Sequence, residues 1–184
     1  RLTRQILKVL QRHRHPFSIV TKSALILRDL DLLESMAKQQ LCSVHISVTT
    51  LDNGLKRTLE PRAPSAAIRL KTIQELNRAG VPVGVLAAPM IPKINDHELE
   101  GILEASRDAG AKTAGYILIR LPHEVKELFE QWLKVHYPGR ANHVMNLIRQ
   151  SRGGKNYDAR FGQRMVGSGY YADMIAQRFR VACS

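Results

Sequence analysis

VHISVTTLDNGLKRTLEPRAPSAAIRLKTIQELNRAGVPVGVLAAPMIP, residues 44–92, decides the fold class. VHISVTT (44–50) alternates Val44, Ile46 and Val48 with His45, Ser47 and Thr49, the two-residue period of a strand. Polar residues turned to a barrel lumen, with apolar ones under outer helices, would account for that alternation. Residues 51–65 read as a polar crossing loop. Residues 66–79 read as a helix built on Leu70, Ile73 and Leu76, with Gly80 at a natural C′ position. VPVGVLAAP (81–89) is almost wholly apolar, as a parallel strand covered on both faces should be. Strand, crossover and strand thus make a β-α-β unit. Its polar residues gather at the C-terminal end of the first strand, where α/β folds bind ligands.

The same alternation runs outward in both directions. Upstream, residues 3–14 place Ile6, Leu7 and Leu10 on one helical face, and Pro16 ends that helix. FSIVTK (17–22) is a short strand, and residues 28–40 form a helix with Leu30, Leu33, Met36 and Ala37 inward. Downstream, Asn95 and Glu98 suggest a capping box for a helix running to about residue 109, closed by Gly110. AGYILIRL (114–121) is a fourth strand. Pro122 then starts a helix with an apolar stripe of Val125, Leu128, Phe129 and Trp132. A helix over 140–150, a Gly/Arg-rich loop over 151–169 and a helix over about 170–180 complete the chain. Strands near 17, 44, 81 and 114, each followed by a helix, predict an α/β fold with about four parallel strands. That sheet is either doubly wound or part of a TIM-like (β/α) barrel. Residues 1–137 hold the β-α repeats, and residues 138–184 make a basic C-terminal extension.

Composition narrows the function classes. Hydrophobic content of 44% and charged content of 24% belong to a folded globular chain. The net charge of +12 is uneven: residues 1–15 carry +5, residues 16–137 carry +1 and residues 138–184 carry +6. Basic flanks suit nucleic acid as a partner, or serve as a solubilising surface. Two cysteines, Cys42 and Cys183, make no disulfide framework, and a reducing cytoplasm fits them. No apolar run nears the roughly 20 residues of a membrane span, so no membrane partner is expected.

Several side chains could carry chemistry. Lys22, after Thr21 at a strand end, can hold a carboxylate or phosphate, or stand solvated. Ser47 and Thr49 share a strand face, with Thr50 and Asp52 beyond. Their hydroxyls can bond a ribose or amino acid, or satisfy the core. Glu60, Arg62 and Arg69 can form a clamp or a surface salt bridge. Tyr157, Phe161, Tyr170 and Tyr171, mixed with Arg152, Lys155, Arg160 and Arg164, can stack bases and grip phosphates, or pack as a flap. Gly167-Ser168-Gly169 lacks the preceding strand of a dinucleotide site. The seven histidines and two cysteines supply no metal set. With no catalytic side chain singled out, two classes stand open: an enzyme, or a non-catalytic basic α/β module that binds nucleic acid.

In order, IVTKSALILRDLDLL (19–33), HISVTTLD (45–52), LEPRAPS (59–65) and AGVPVGVLAAPMIPKIND (79–96) resemble the radical S-adenosylmethionine superfamily. More narrowly they resemble the DNA repair photolyases, relatives of spore photoproduct lyase. The resemblance implies a (β/α)6 barrel, a [4Fe-4S] cluster and S-adenosylmethionine. It also implies reductive cleavage of that cofactor to a 5′-deoxyadenosyl radical, and an electron donor such as flavodoxin or ferredoxin. Lys22 would reach the cofactor's carboxylate, Ser47 and Thr49 its ribose or amino-acid part. Glu60 and Arg62 would lie in the loop over it, and the strand at 83–88 beside its adenine. The family's CxxxCxxC cluster loop is missing from these residues. The resemblance therefore puts residue 1 in the second barrel helix, and the cluster ligands are expected upstream. The 184 residues alone are expected to be inactive.

Overall fold

The computed structural model describes residues 2–155 and 163–184. Four strands make one sheet in the order β1-β2-β3-β4: β1 (Phe17–Thr21), β2 (Cys42–Val48), β3 (Val83–Met90) and β4 (Thr113–Leu118). The strands are parallel. β1 and β2 pair in register from Phe17 opposite Cys42 to Thr21 opposite Ile46. Each strand neighbours the next in sequence, so every crossover moves one place in the same direction. That is the connectivity of a (β/α) barrel segment, and it excludes the reversing order of a doubly wound sheet.

Helices fill the intervals: α1 (Leu2–Arg12), α2 (Leu30–Ala37), α3 (Asn53–Leu59), α4 (Ala66–Arg78), α5 (Leu99–Asp108), α6 (Val125–His136), α7 (Ala141–Gln150), α8 (Gln163–Val166) and α9 (Tyr170–Cys183). Two compact units divide the chain. One comprises residues 1–86 with 102–115, the other residues 87–101 with 116–184.

In the first unit the core is drawn from both faces of β2 and from the helices on it. Val44, Ile46 and Val48 of β2, Leu33 and Met36 of α2, and Ile73 and Leu76 of α4 are almost wholly excluded from solvent. Ser47 and Thr49 are also buried, so both faces of the end of β2 are covered. β1 is the sheet's edge and has no buried residue, with Val20 exposed. Gly80, at φ +71°, ends the crossover after α4 in the left-handed conformation that glycine adopts without strain. Gly84 of β3 lies where His45 and Thr113 converge: an added Cβ would stand 2.8 Å from both His45 Cδ2 and the Thr113 carbonyl oxygen.

The structure corrects several local expectations. Residues 51–65 are not all loop: α3 lies within them. Asp52 caps it, accepting from the amides of Gly54 at 2.6 Å and Leu55 at 3.3 Å. The helix expected over 28–40 is a 3-10 turn (Ala24–Asp29) followed by the shorter α2. Ser23 caps that turn through the Leu25 amide. Ile6 is exposed beside Leu2 and Val9, and Leu7 alone of α1 is buried.

The second unit packs α6, α7 and α9 with the end of β3 and its following loop, around Met90, Leu99, Leu133, Ile148 and Ile175. Asn95 and Glu98 form no capping box. The Asn95 side chain turns back, accepting from the Ile91 amide at 2.7 Å and donating to the Pro89 carbonyl at 2.9 Å. The side chain thus serves the Pro89 carbonyl and the Ile91 amide at the end of β3, and a backbone group left buried and unpaired costs stability. The α6 stripe is rotated from expectation: Phe129 and Leu133 are buried, whereas Val125 and Leu128 are exposed. Trp132 stacks on Phe129 with ring centroids 5.6 Å apart. At the C-terminal helix, Tyr171 donates its hydroxyl to Asp96, and Arg178 grips Glu100 at 2.6 Å.

Candidate functional site

The ends of β1 and β2 and the start of α4 bring one charged cluster together, all within the first unit. Ser65 caps α4 through the Ile68 amide, so Arg69 falls in its first turn. Its face is shared with Ala66, Ile73 and Leu76, which are all buried, and the guanidinium is only 2% exposed. A cation so placed must spend its donors on protein. Nε donates to the Pro64 carbonyl at 3.0 Å, and Nη1 to the Ser47 carbonyl at 2.9 Å and the Thr49 hydroxyl at 3.4 Å. Nη2 pairs with Glu60 Oε2 at 2.6 Å.

The other oxygen of Glu60 accepts from the Thr49 hydroxyl at 2.9 Å and from Lys22 Nζ at 2.7 Å. The Lys22 side chain is 38% exposed, that of Glu60 only 14%. Burial pushes the Glu60 carboxyl up, but hydrogen bonds from Lys22 and Arg69 outweigh it and hold the group below its usual value near 4.5. The cluster holds two cations and one carboxylate, an excess of one positive charge.

Five of the residues singled out from sequence therefore meet here: Lys22, Thr49, Glu60 and Arg69 by side chain, Ser47 by its carbonyl. Arg62 is exposed in the turn after Glu60 and stands outside the network. Asp52 and Thr50 serve local structure, since Thr50 accepts from the Asp52 amide and Asp52 caps α3. Of the clamp and the surface salt bridge open to Glu60 and its basic neighbours, the structure forms a buried pair with Arg69. Its signal was available: an arginine at the inward spacing 66, 69, 73, 76, nine residues after a glutamate, has an acceptor to find.

Among the tail candidates, Tyr157, Arg160 and Phe161 lie outside the described residues. Arg152 and Tyr171 are not free to grip a ligand. Arg152 is buried and donates to the carbonyls of Leu118, Ile119 and Arg164, while Tyr171 is held by Asp96. Tyr170 is 88% exposed.

Because the Glu60 carboxyl is depressed on folding, its stabilising contribution is complete above about pH 4.5 and is lost as pH falls through the lower folded value. Urea midpoints followed down to about pH 3 should fall in the wild type, and fall less in Glu60→Gln. Identical acid slopes would mean that Glu60 is not held as described.

Parallel strands in this order define an α/β scaffold of the barrel class, with the charged cluster at its strand ends. Residues 1–105 match the Radical SAM superfamily. An uncharacterized protein of Mycobacterium tuberculosis (strain ATCC 25618 / H37Rv) is 31% identical over 137 residues, 73% of this chain and 40% of that protein. An uncharacterized protein of Methanocaldococcus jannaschii is 30% identical over 138 residues, 75% of this chain and 50% of that protein. One from Acidianus two-tailed virus is 34% identical over 99 residues, 51% of this chain and 32% of that protein. The matched region thus spans half or less of these relatives' length. The chain belongs to the radical S-adenosylmethionine superfamily, whose members generally use S-adenosylmethionine and a [4Fe-4S] cluster.

The cluster does not fit the residues present. It needs three protein thiolates, and this sequence has two cysteines. Cys42 is buried, donates its thiol to the Leu33 carbonyl, and is pushed toward the neutral form by burial, whereas Cys183 is exposed on α9. Among the described residues no group of three His, Cys, Asp or Glu could hold a metal ion. S-adenosylmethionine does fit the charged cluster: a half-exposed ammonium suits its carboxylate, and a fixed carboxylate and hydroxyl suit a ribose. No helix among the described residues is long and apolar enough to cross a membrane.

Proposed function

We propose that this chain contributes the S-adenosylmethionine-holding wall of a radical enzyme of the photolyase-like group, with nucleic acid as its substrate. The observation carrying this reading is the Lys22–Glu60–Arg69–Thr49 cluster at the strand ends of a superfamily member. When bound, the cofactor supplies the family's hydrogen-atom abstraction. Lys22 binds the cofactor's carboxylate, its partly exposed ammonium standing on a flexible stem. Glu60 accepts from the ribose hydroxyls, and Thr49 orients Glu60. The buried β3 residues Val83 and Val85 give the strand beside the adenine an apolar character. The thiolates for the cluster come from outside these 184 residues, and a small redox protein supplies the electron.

Calorimetric titration of the chain with S-adenosylmethionine tests the binding role. Lys22→Ala is expected to weaken binding about 10- to 100-fold, the worth of a charge-assisted hydrogen bond. Unchanged affinity removes Lys22 from the site. For the whole protein, anaerobic reconstitution with iron and sulfide, then dithionite and S-adenosylmethionine, should yield 5′-deoxyadenosine; none forming from cluster-loaded protein sinks the enzyme reading.

The basic flanks support a second reading, a non-catalytic nucleic-acid-binding module. It requires DNA binding that needs no cofactor and weakens steeply with salt. Absent or salt-insensitive binding counts against it.

A further inference from the structure

The two cations on Glu60 differ in ways that matter for ligand entry. Arg69 is anchored by four acceptors drawn from the end of β2 and the crossing segment: the carbonyls of Ser47 and Pro64, the Thr49 hydroxyl and Glu60. At 2% exposure it has no solvent to move into. Lys22 is 38% exposed on a flexible stem, and Glu60 is the partner its ammonium is given. The Glu60 oxygens are divided accordingly, Oε2 to Arg69 and Oε1 to Lys22 and Thr49.

We propose that Arg69 is a positioning residue. It holds Glu60 and the Glu60–Pro64 segment in place while Lys22 is released to an incoming carboxylate. The inference rests on the ligand reading above and adds a division of labour to it. With Arg69 fixed, loss of the Lys22 contact leaves Glu60 still paired and still aimed. Without Arg69, the carboxylate would keep only the Thr49 hydroxyl and the cation that the ligand must take away. Lysine cannot stand in, because a single ammonium cannot reach acceptors on three sides as the planar guanidinium does. The groups facing Glu60 are Lys22 from the end of β1, Thr49 from the end of β2 and Arg69 from α4. Nearby, Lys56 of α3 donates to the Pro61 carbonyl at 3.1 Å and helps fix the same segment.

The test uses the 184-residue chain, two ligands and one spectroscopic probe. S-adenosylhomocysteine carries the carboxylate, and 5′-methylthioadenosine keeps the ribose and lacks it. Lys22→Ala should weaken the first about tenfold and leave the second unchanged. Arg69→Lys and Arg69→Gln should weaken both by the same factor, about tenfold or more, because both depend on Glu60. Carbon-13 titration of the Glu60 carboxyl in the ligand-free protein reads the positioning directly. Its midpoint should rise in both Arg69 variants, most in Arg69→Gln, where Lys22 is the one cation left on Glu60, and the acid limb of ligand binding should move up with it.

An Arg69 variant that weakens only the carboxylate ligand would make Arg69 a direct ligand and overturn the proposal. An unmoved Glu60 midpoint would overturn it equally. If the wild type binds neither ligand, the ligand reading and the Lys22 release fall together, and the Glu60 titration alone decides whether Arg69 sets the carboxylate. Should Arg69→Gln not fold, Arg69→Lys carries the same readouts.

Discussion

Glu60→Ala is expected to destabilise the chain by about 3–5 kcal/mol, the cost of leaving a buried cation without its partner. Arg69 is almost fully excluded from solvent and sits 2.6 Å from the carboxylate that balances it. Its remaining acceptors, two carbonyls and a hydroxyl, bear no charge. The cavity left by the side chain would admit some water, which favours the lower end of that range. Removing both members should cost much less. In Glu60→Ala/Arg69→Met no buried charge remains, and replacing an ion pair by apolar groups of similar volume is often close to neutral. Urea unfolding of the wild type, the single and the double variant gives the comparison. A single-variant loss below about 1 kcal/mol would mean that Arg69 is far better solvated than its burial implies.

Gly84→Val should cost about 1–3 kcal/mol through overpacking, or more if the sheet cannot yield. The new Cβ would strike the Thr113 hydroxyl and carbonyl and the His45 ring. The hydroxyl could rotate away, but the carbonyl belongs to a strand backbone. His45 reaches this point because there is no side chain on Gly84: its Nε2 lies 3.4 Å from the Thr113 hydroxyl and its Nδ1 3.4 Å from that of Ser18. Gly115→Ala is the control. A Cβ there meets only the tip of Leu86, at 3.2 Å, and a leucine rotamer can adjust. Thermal midpoints should fall for Gly84→Val and change little for Gly115→Ala. Equal falls would show that strand glycine is needed in general, not at this crossing.

The order of strands and crossovers was legible because it rests on periodicity and length. VPVGVLAAP could only be a strand covered on both faces, and Gly80 could only end the helix before it. What was not legible rested on single polar side chains choosing among acceptors. Asp52-Asn53-Gly54 reads as a turn by composition, because Asn and Gly are poor helix formers, yet the Asp52 carboxylate caps a helix there. Asn95 has the spacing of a capping box with Glu98, and the structure spends it on two strand-end backbone groups. The site divides the same way. Lys22 and Thr49 could be picked out because strand ends carry ligand groups, and Glu60 because it is an acid between basic residues in the crossing segment. That Arg69 would join them depended on its helix face turning inward, which the apolar residues at 66, 73 and 76 signalled only in part. Arg62, equally basic and closer to Glu60 in sequence, sits in a turn with no packing to hold it.

The contacts of α9 have a consequence for synthesis. Tyr171 binds Asp96 across 75 residues, and Arg178 reaches Glu100 and the Asp96 carbonyl across 78 and 82. The first unit is drawn from residues up to 115, so its residues are all synthesised before most of those of the second. The second cannot close until α9 has left the ribosome. In the interval Asp96, after β3, and Glu100, in the first turn of α5, lack these partners on α9, beside the apolar ends of β3 and β4. In that window a stalled or clipped chain would leave this apolar surface exposed.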